Sequence, residues 1–125
     1  MSVILFDRGD KDRTYYLNLW HWHTIVEAVR RLKIIPEPRA IDLHVSFIGA
    51  GLTGEEAGEV AAALRASIIP TLAHEERLLL DGSKTAAPAD GVLDHVDPLK
   101  CYSTDAAALE GFAEFCDSCD GFNVC

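Results

Sequence analysis

The sequence predicts a helix-dominated α+β domain, with three or four helices and two or three short strands packed about a single core. Three observations carry that expectation. Apolar residues recur at helical spacing in three stretches, they alternate with polar residues in a fourth, and capping or breaking residues stand where those patterns start and stop. At 125 residues, 49% hydrophobic and 25% charged, the chain suits one compact domain over 1–125. Folding at that length buries about two-thirds of the surface the unfolded chain exposes, enough for a core without metal or disulfide staples.

Taken in order, Ser2 to Phe6 reads as a short strand and "DRGDKDR" as a charged turn, its "RGD" only a tripeptide. Asn18 is placed to cap a helix over "LWHWHTIVEAVRRLK", which sets Leu19, Trp22, Ile25, Val26, Val29 and Leu32 on one stripe. Arg30, Arg31 and Lys33 lie where the C-terminal dipole favours cations. Pro36 and Pro38 end that helix and bias the chain toward extended backbone. Ile41 to Ile48 alternates, with Ile41, Leu43, Val45 and Phe47 on one side and Asp42, His44 and Ser46 on the other, as in a strand with one wet face.

Thr53 and Glu56 have capping-box spacing, and Ala57, Val60, Ala61, Leu64 and Ile68 share one face of a second helix, interrupted at Pro70. "TLAHEERLLLDG" is expected to form a short helix stopped at Gly82, with a turn into a strand at Arg77 to Leu80 as the alternative. Gly82 to Pro98 reads as a long connection. Ser103 or Thr104 can cap a last helix that turns Leu109, Phe112, Ala113 and Cys116 inward and Glu110, Glu114 and Asp117 outward. The first, second and last helices are expected to pack their apolar stripes together.

The net charge of −9 is unevenly placed. Residues 1–33 carry six Lys/Arg against four Asp/Glu, and residues 34–125 five against sixteen, so the two parts differ as +2 and −11. Phosphate binding needs positive charge to replace released counterions, so nucleic acid and anionic membrane are disfavoured and a basic protein partner is compatible. No apolar run reaches the length of a membrane span, and the N-terminal run is too short for a secretory signal. A cytoplasmic location is the expectation.

"VSFIGAGLTGEE" places Gly49, Gly51 and Gly54 before a helix, with Asp81 27 residues beyond Gly54, and taken alone it resembles the fingerprint of flavin and nicotinamide enzymes. Three arguments run against a dinucleotide. The preceding strand needs a wet face where a doubly wound sheet has none. Glu55 and Glu56 set negative charge where phosphates would sit, and only 44 residues follow Asp81. The plainer reading is that the glycines let a strand turn into a capped helix.

Cys101, Cys116, Cys119 and Cys125 give C-x14-C-x2-C-x5-C, which invites a zinc reading. If the last helix extends through Cys119, however, Cys116 and Cys119 fall on its inner side as small core residues. His21 and His23 are two apart and cannot share a metal on a helix, whereas His23 and Glu27 share a face. His44, His74 and His95 stand alone in sequence, and no catalytic set can be assembled. Trp20 projects opposite the apolar stripe beside His23, Thr24, Glu27 and Arg31, a composition suited to an interaction hot spot unless the N-terminal strand or the long connection covers it.

"NLWHWH", "EEAGEVAAAL" after the glycine loop, and the ending "LEGFAEFCDSCDGFNVC" together resemble a group of small bacterial and phage proteins of uncharacterised function. The likeness spans most of the chain through short motifs. Asp120-Gly121-Phe122 stands where that group has Gly-Gly-Phe, and His23-Thr24 follows Trp22 where Arg and Pro are common. The resemblance implies a small helix-rich domain and transfers no catalytic residue.

The function expected is therefore a non-enzymatic protein-interaction or regulatory module working through Trp20, His23, Glu27 and Arg31, with no resident cofactor. Two alternatives stay open: a zinc-binding protein using Cys101, Cys116, Cys119 and Cys125, and a nucleotide-binding enzyme at Gly49, Gly51, Gly54 and Asp81.

Overall fold

The computed structural model describes residues 2–45, 50–86 and 102–124. Within them the chain is α+β, with four α-helices and seven short strands in two antiparallel sheets, more strands than the two or three expected. β1 (Ser2–Asp7) and β2 (Thr14–Asn18) form a hairpin in which Val3 faces Leu17 and Leu5 faces Tyr15. Then come α1 (Leu19–Arg31), α2 (Glu37–Val45), β3 (Gly51–Thr53) and α3 (Gly54–Ala63). A π turn over Leu64–Ile68 and a 3₁₀ turn over Ile69–Thr71 continue α3, and Pro70 sits in the second of them. The chain goes on through β4 (Arg77–Leu79), β5 (Lys84–Thr85), β6 (Ser103–Asp105), α4 (Ala106–Ser118) and β7 (Gly121–Val124).

The first sheet has the order β2-β1-β7-β3, so the C-terminal strand is clasped between the N-terminal hairpin and the glycine loop. Leu5 pairs with Val124 and Leu52 with Phe122, placing apolar side chains on one buried face. The second sheet, β5-β4-β6, is smaller. One contiguous core joins the elements, and Trp22, Phe112 and Phe122 meet there edge to face at centroid distances of 6.0 to 6.5 Å. α3 packs on α4 as expected, but the main helical neighbour of α1 is α2.

The caps of two helices follow their sequence signals. The Asn18 side chain accepts from the Trp20 and His21 amides, and Thr53 and Glu56 form the full capping box. The last helix is capped one residue later than expected, by Asp105, whose carboxylate accepts from Ala108 N–H, while Ser103 and Thr104 belong to β6. It also stops at Ser118, so Cys119 has extended backbone and is half-buried.

Two segments differ in kind from their expected state. Residues 41–45 are helical, in α2, and not the start of a strand. Pro36 and Pro38 sit at the helix start, where a missing N–H costs nothing, and Ala40 and Leu43 at i, i+3 spacing supply the buried face. Ile41 and Val45, which period-2 reasoning turned inward, are exposed. The remainder of that expected strand, 46–48, lies outside the described residues, as do Gly49, His95, Cys101, Cys125 and most of the long connection. Arg77–Leu79 is a strand and not part of a helix, because it pairs on both sides, with β5 and β6. No described helix is long and apolar enough to cross a membrane.

Candidate functional site

The geometry of α1 sets up the site. Trp22, Ile25, Val26 and Val29 fill the core, and the indole N–H of Trp22 donates to the Leu43 carbonyl at 3.0 Å, locking α2 alongside. That packing turns His44 of α2 back toward His23 and Glu27, which lie one helical turn apart on α1. The three side chains wall an open cleft of about 740 Å³. Val45, Leu80, Asp81 and Tyr102 complete its walls, and Arg31 stands at its edge. A cleft of this size is in the range used by small ligands and anchoring side chains.

Inside it, a hydrogen-bonded chain links three titratable groups. Glu27 Oε2 lies 3.1 Å from His44 Nε2, and His44 Nδ1 lies 3.0 Å from His23 Nδ1. The two imidazole planes are 25° apart with centroids 5.2 Å apart. That separation is close to the nitrogen–nitrogen distance plus two ring radii, so the rings meet edge to edge, nearly in one plane, as a hydrogen bond requires, and do not lie face over face.

The electrostatics follow from the partners. Hydrogen bonds from the Arg30 guanidinium, followed by the bond to His44 and the nearby positive charge, overcome burial and hold the Glu27 carboxyl down to about 2. It is a permanent carboxylate near neutrality. Burial, helped by the neighbouring His44, pushes the His23 pKa below the ordinary imidazole range, so His23 favours its neutral form.

Arg31 has a different task from the one its sequence position suggests. Its guanidinium reaches across to the Leu80 and Asp81 carbonyls and clamps the β4–β5 turn onto α1. Gly82 has φ of +88°, a left-handed conformation that favours glycine, whereas the Arg31 guanidinium that a Cβ there would meet is the end of a flexible side chain and can move aside. Trp20 is half-buried, with its ring edge-to-face on Tyr102 at 4.9 Å and 67°. Its cover thus comes from the residue that follows the long connection.

Of the expected interaction residues, the structure brings His23, Glu27 and Arg31 into one cleft and sets Trp20 on its Tyr102 wall. Thr24, expected on the same outward face, is instead buried, its hydroxyl donating to the Trp20 carbonyl at 3.0 Å. The sequence missed His44 and Tyr102. The i, i+4 pairing of His23 with Glu27 was legible, but His44 was hidden by the strand assignment of its segment.

The glycine loop has another use. β3 pairs antiparallel with β7, and a Cβ on Gly51 would lie 1.9 Å from the Phe122 carbonyl oxygen. The start of α3 is filled by Thr53 and Glu56, and Glu56 is bound in turn by Arg39. Asp81 is engaged elsewhere, accepting from Ser83 in the β4–β5 turn, where Arg31 holds its carbonyl. Gly51 and Gly54 are therefore built against β7 and the loop before it, and Asp81 against α1.

Cys116 is buried in the core and Cys119 half-buried, with its thiol 3.5 Å from the Cys116 carbonyl. Burial pushes both thiols up, keeping them protonated. Among the described residues no group of three or more His, Cys, Asp or Glu side chains is arranged to hold a metal ion. Comparison with known proteins adds no name to the cleft: no family model, curated protein or solved structure matches the chain.

Proposed function

We propose that this chain is a cytoplasmic protein-interaction or regulatory module that takes an anchoring group of a partner protein into the α1–α2 cleft. The observation that carries the reading is that a cleft of about 740 Å³ opens on the face of α1 that bears His23 and Glu27, with Trp20 packed against its Tyr102 wall. Tyr102 against Trp20 gives that cleft an aromatic rim, the kind of rigid surface on which binding energy concentrates. The partner it suits brings an apolar or aromatic group to the rim and basic flanks to the acidic surface supplied by residues 34–125. Motif likeness to small bacterial and phage proteins transfers no activity, so the reading rests on the cleft.

The test compares native protein with the Trp20→Ala, Tyr102→Ala double variant in affinity capture, followed by hydrogen exchange on the isolated complex. The expected result is capture by the native protein alone, with new protection confined to the cleft walls, namely α1, α2, the β4–β5 turn and Tyr102. Equal capture by both, or protection elsewhere, overturns the reading.

A further inference from the structure

Two imidazole nitrogens in contact need one proton between them. His23 Nδ1 and His44 Nδ1 are 3.0 Å apart, and with ring centroids 5.2 Å apart the two nitrogens point at one another. One proton on either ring makes that contact a hydrogen bond, whether the pair as a whole is neutral or carries a single positive charge. A second charge changes it. Every ring nitrogen is then a donor, so two N–H groups face each other across the contact with like charges behind them.

The described carboxylates nearby are already committed. Glu27 is shared by His44, Arg30 and Arg31, and Asp81 accepts from Ser83. The two rings are also held unequally. Glu27 accepts from His44 Nε2 at 3.1 Å, a bond that charge on His44 strengthens, whereas the Nδ1 contact is the one hydrogen bond the His23 ring makes among the described residues. The ring free to leave is therefore His23. On its other side stands Tyr102, edge to face with His23 at 5.8 Å and with Trp20 at 4.9 Å, so a displaced imidazolium meets the aromatic rim of the cleft.

We propose that the His23–His44 pair is a pH-operated latch on the α1–α2 cleft, closed while the pair carries at most one positive charge and opened by the second proton, which drives His23 away from His44 into the cleft. Burial, helped by the neighbouring His44, holds the His23 pKa below the ordinary imidazole value of about 6.5. The latch is thus closed at neutral pH and is lost as pH falls through the lowered His23 midpoint. The groups that set this titration are Glu27, Arg30 and Arg31 on α1, His44 on α2, Asp81 in the β4–β5 turn and Tyr102 before β6. For a bound protein the consequence, which rests on the proposed interaction, is release in mild acid. An imidazolium in the cleft takes the place of the anchoring group and repels basic flanks.

Side-chain nitrogen-15 NMR of the full chain from pH 8 to pH 5 tests the latch without a partner. His23 should titrate below the ordinary imidazole midpoint. In His44→Gln that midpoint should rise, because a glutamine carbonyl accepts from protonated His23 where protonated His44 cannot. As native His23 titrates, the Trp20 indole and Tyr102 ring signals should move with it while the Trp22 indole in the core stays in place, the mark of a local opening and not of unfolding. His23→Gln should leave the Trp20 signal flat over the same interval. A His23 midpoint unchanged in His44→Gln overturns the proposal, and so do native Trp20 and Tyr102 signals that do not follow the His23 titration. If either variant fails to fold, the native titration decides alone. A captured partner should be held by native protein at pH 7.5 and shed at pH 5.5, and equal retention at both overturns the regulatory consequence. Failure to capture any partner sinks the interaction and leaves the histidine and Trp20 titrations to decide the latch, so the two readings fail separately.

Discussion

Glu27 on α1 and His44 on α2 share a 3.1 Å contact across 17 residues of sequence, and this ties two helices together through a charge-assisted bond. Stability should therefore depend on pH in a particular direction. The Glu27 carboxyl is near 2 when folded against 4.5 in the free group, so its contribution is complete above about 4.5 and is lost as pH falls toward 2. His23 acts in the same sense at higher pH, since its lowered pKa makes protonation below about 6.5 oppose folding. Denaturant melts from pH 7 to pH 3 should show falling stability in two stages. Glu27→Gln should cost about 1–3 kcal/mol at pH 7 and reduce the lower stage, which Asp7 and Glu56, also held below the usual carboxylate range by their partners, share.

Glycines at two positions should respond in opposite directions to alanine. At Gly51 the added Cβ meets backbone, the Phe122 carbonyl at 1.9 Å, which only separation of β3 from β7 relieves. Gly51→Ala should lose about 1–3 kcal/mol or more. Gly58, inside α3, has nothing within 4 Å of an added Cβ. Gly58→Ala should gain about 0.5–1 kcal/mol through helix propensity. Urea titration of the two variants checks both signs.

The two tryptophans should be optically distinct. Trp22 is fully buried with its N–H bonded to Leu43, and Trp20 is half-buried on Tyr102. Trp22→Phe leaves Trp20 as sole emitter, and acrylamide should quench it in the folded protein. Trp20→Phe leaves a blue-shifted emitter that is quenched only on unfolding. Phe112→Ala, which removes the ring packed on Trp22, should cost about 3–5 kcal/mol and redden that second emission.

Thiol reactivity should separate Cys116 from Cys119. Burial leaves Cys116 both protonated and out of reach, while Cys119 is half-exposed. Alkylation of native protein followed by peptide mass mapping should label Cys119 slowly and Cys116 only in denaturant. Rapid native labelling of Cys116 would show that α4 does not bury it.

The sequence by itself determined the elements whose instructions are local. The Asn18 cap, the Thr53–Glu56 box, the inward stripe of α1 and the buried face of α4 all follow from hydrogen bonds and periodicity within a few residues of one another. Pairing was not legible in that way. Arg77–Leu79 became a strand because β5 and β6 lie on either side of it, and Gly121–Val124 because the N-terminal hairpin and β3 left a slot between them. α2 misled the reading because the sequence 41–48 alternates, while the burial of Ala40 and Leu43 against α1 rewards helical spacing. The candidate site belongs to tertiary structure for the same reason. Its charge chain needs His44 beside His23, two residues 21 apart that nothing in their own neighbourhoods connects, and only the docking of α2 on Trp22 brings their nitrogens within reach.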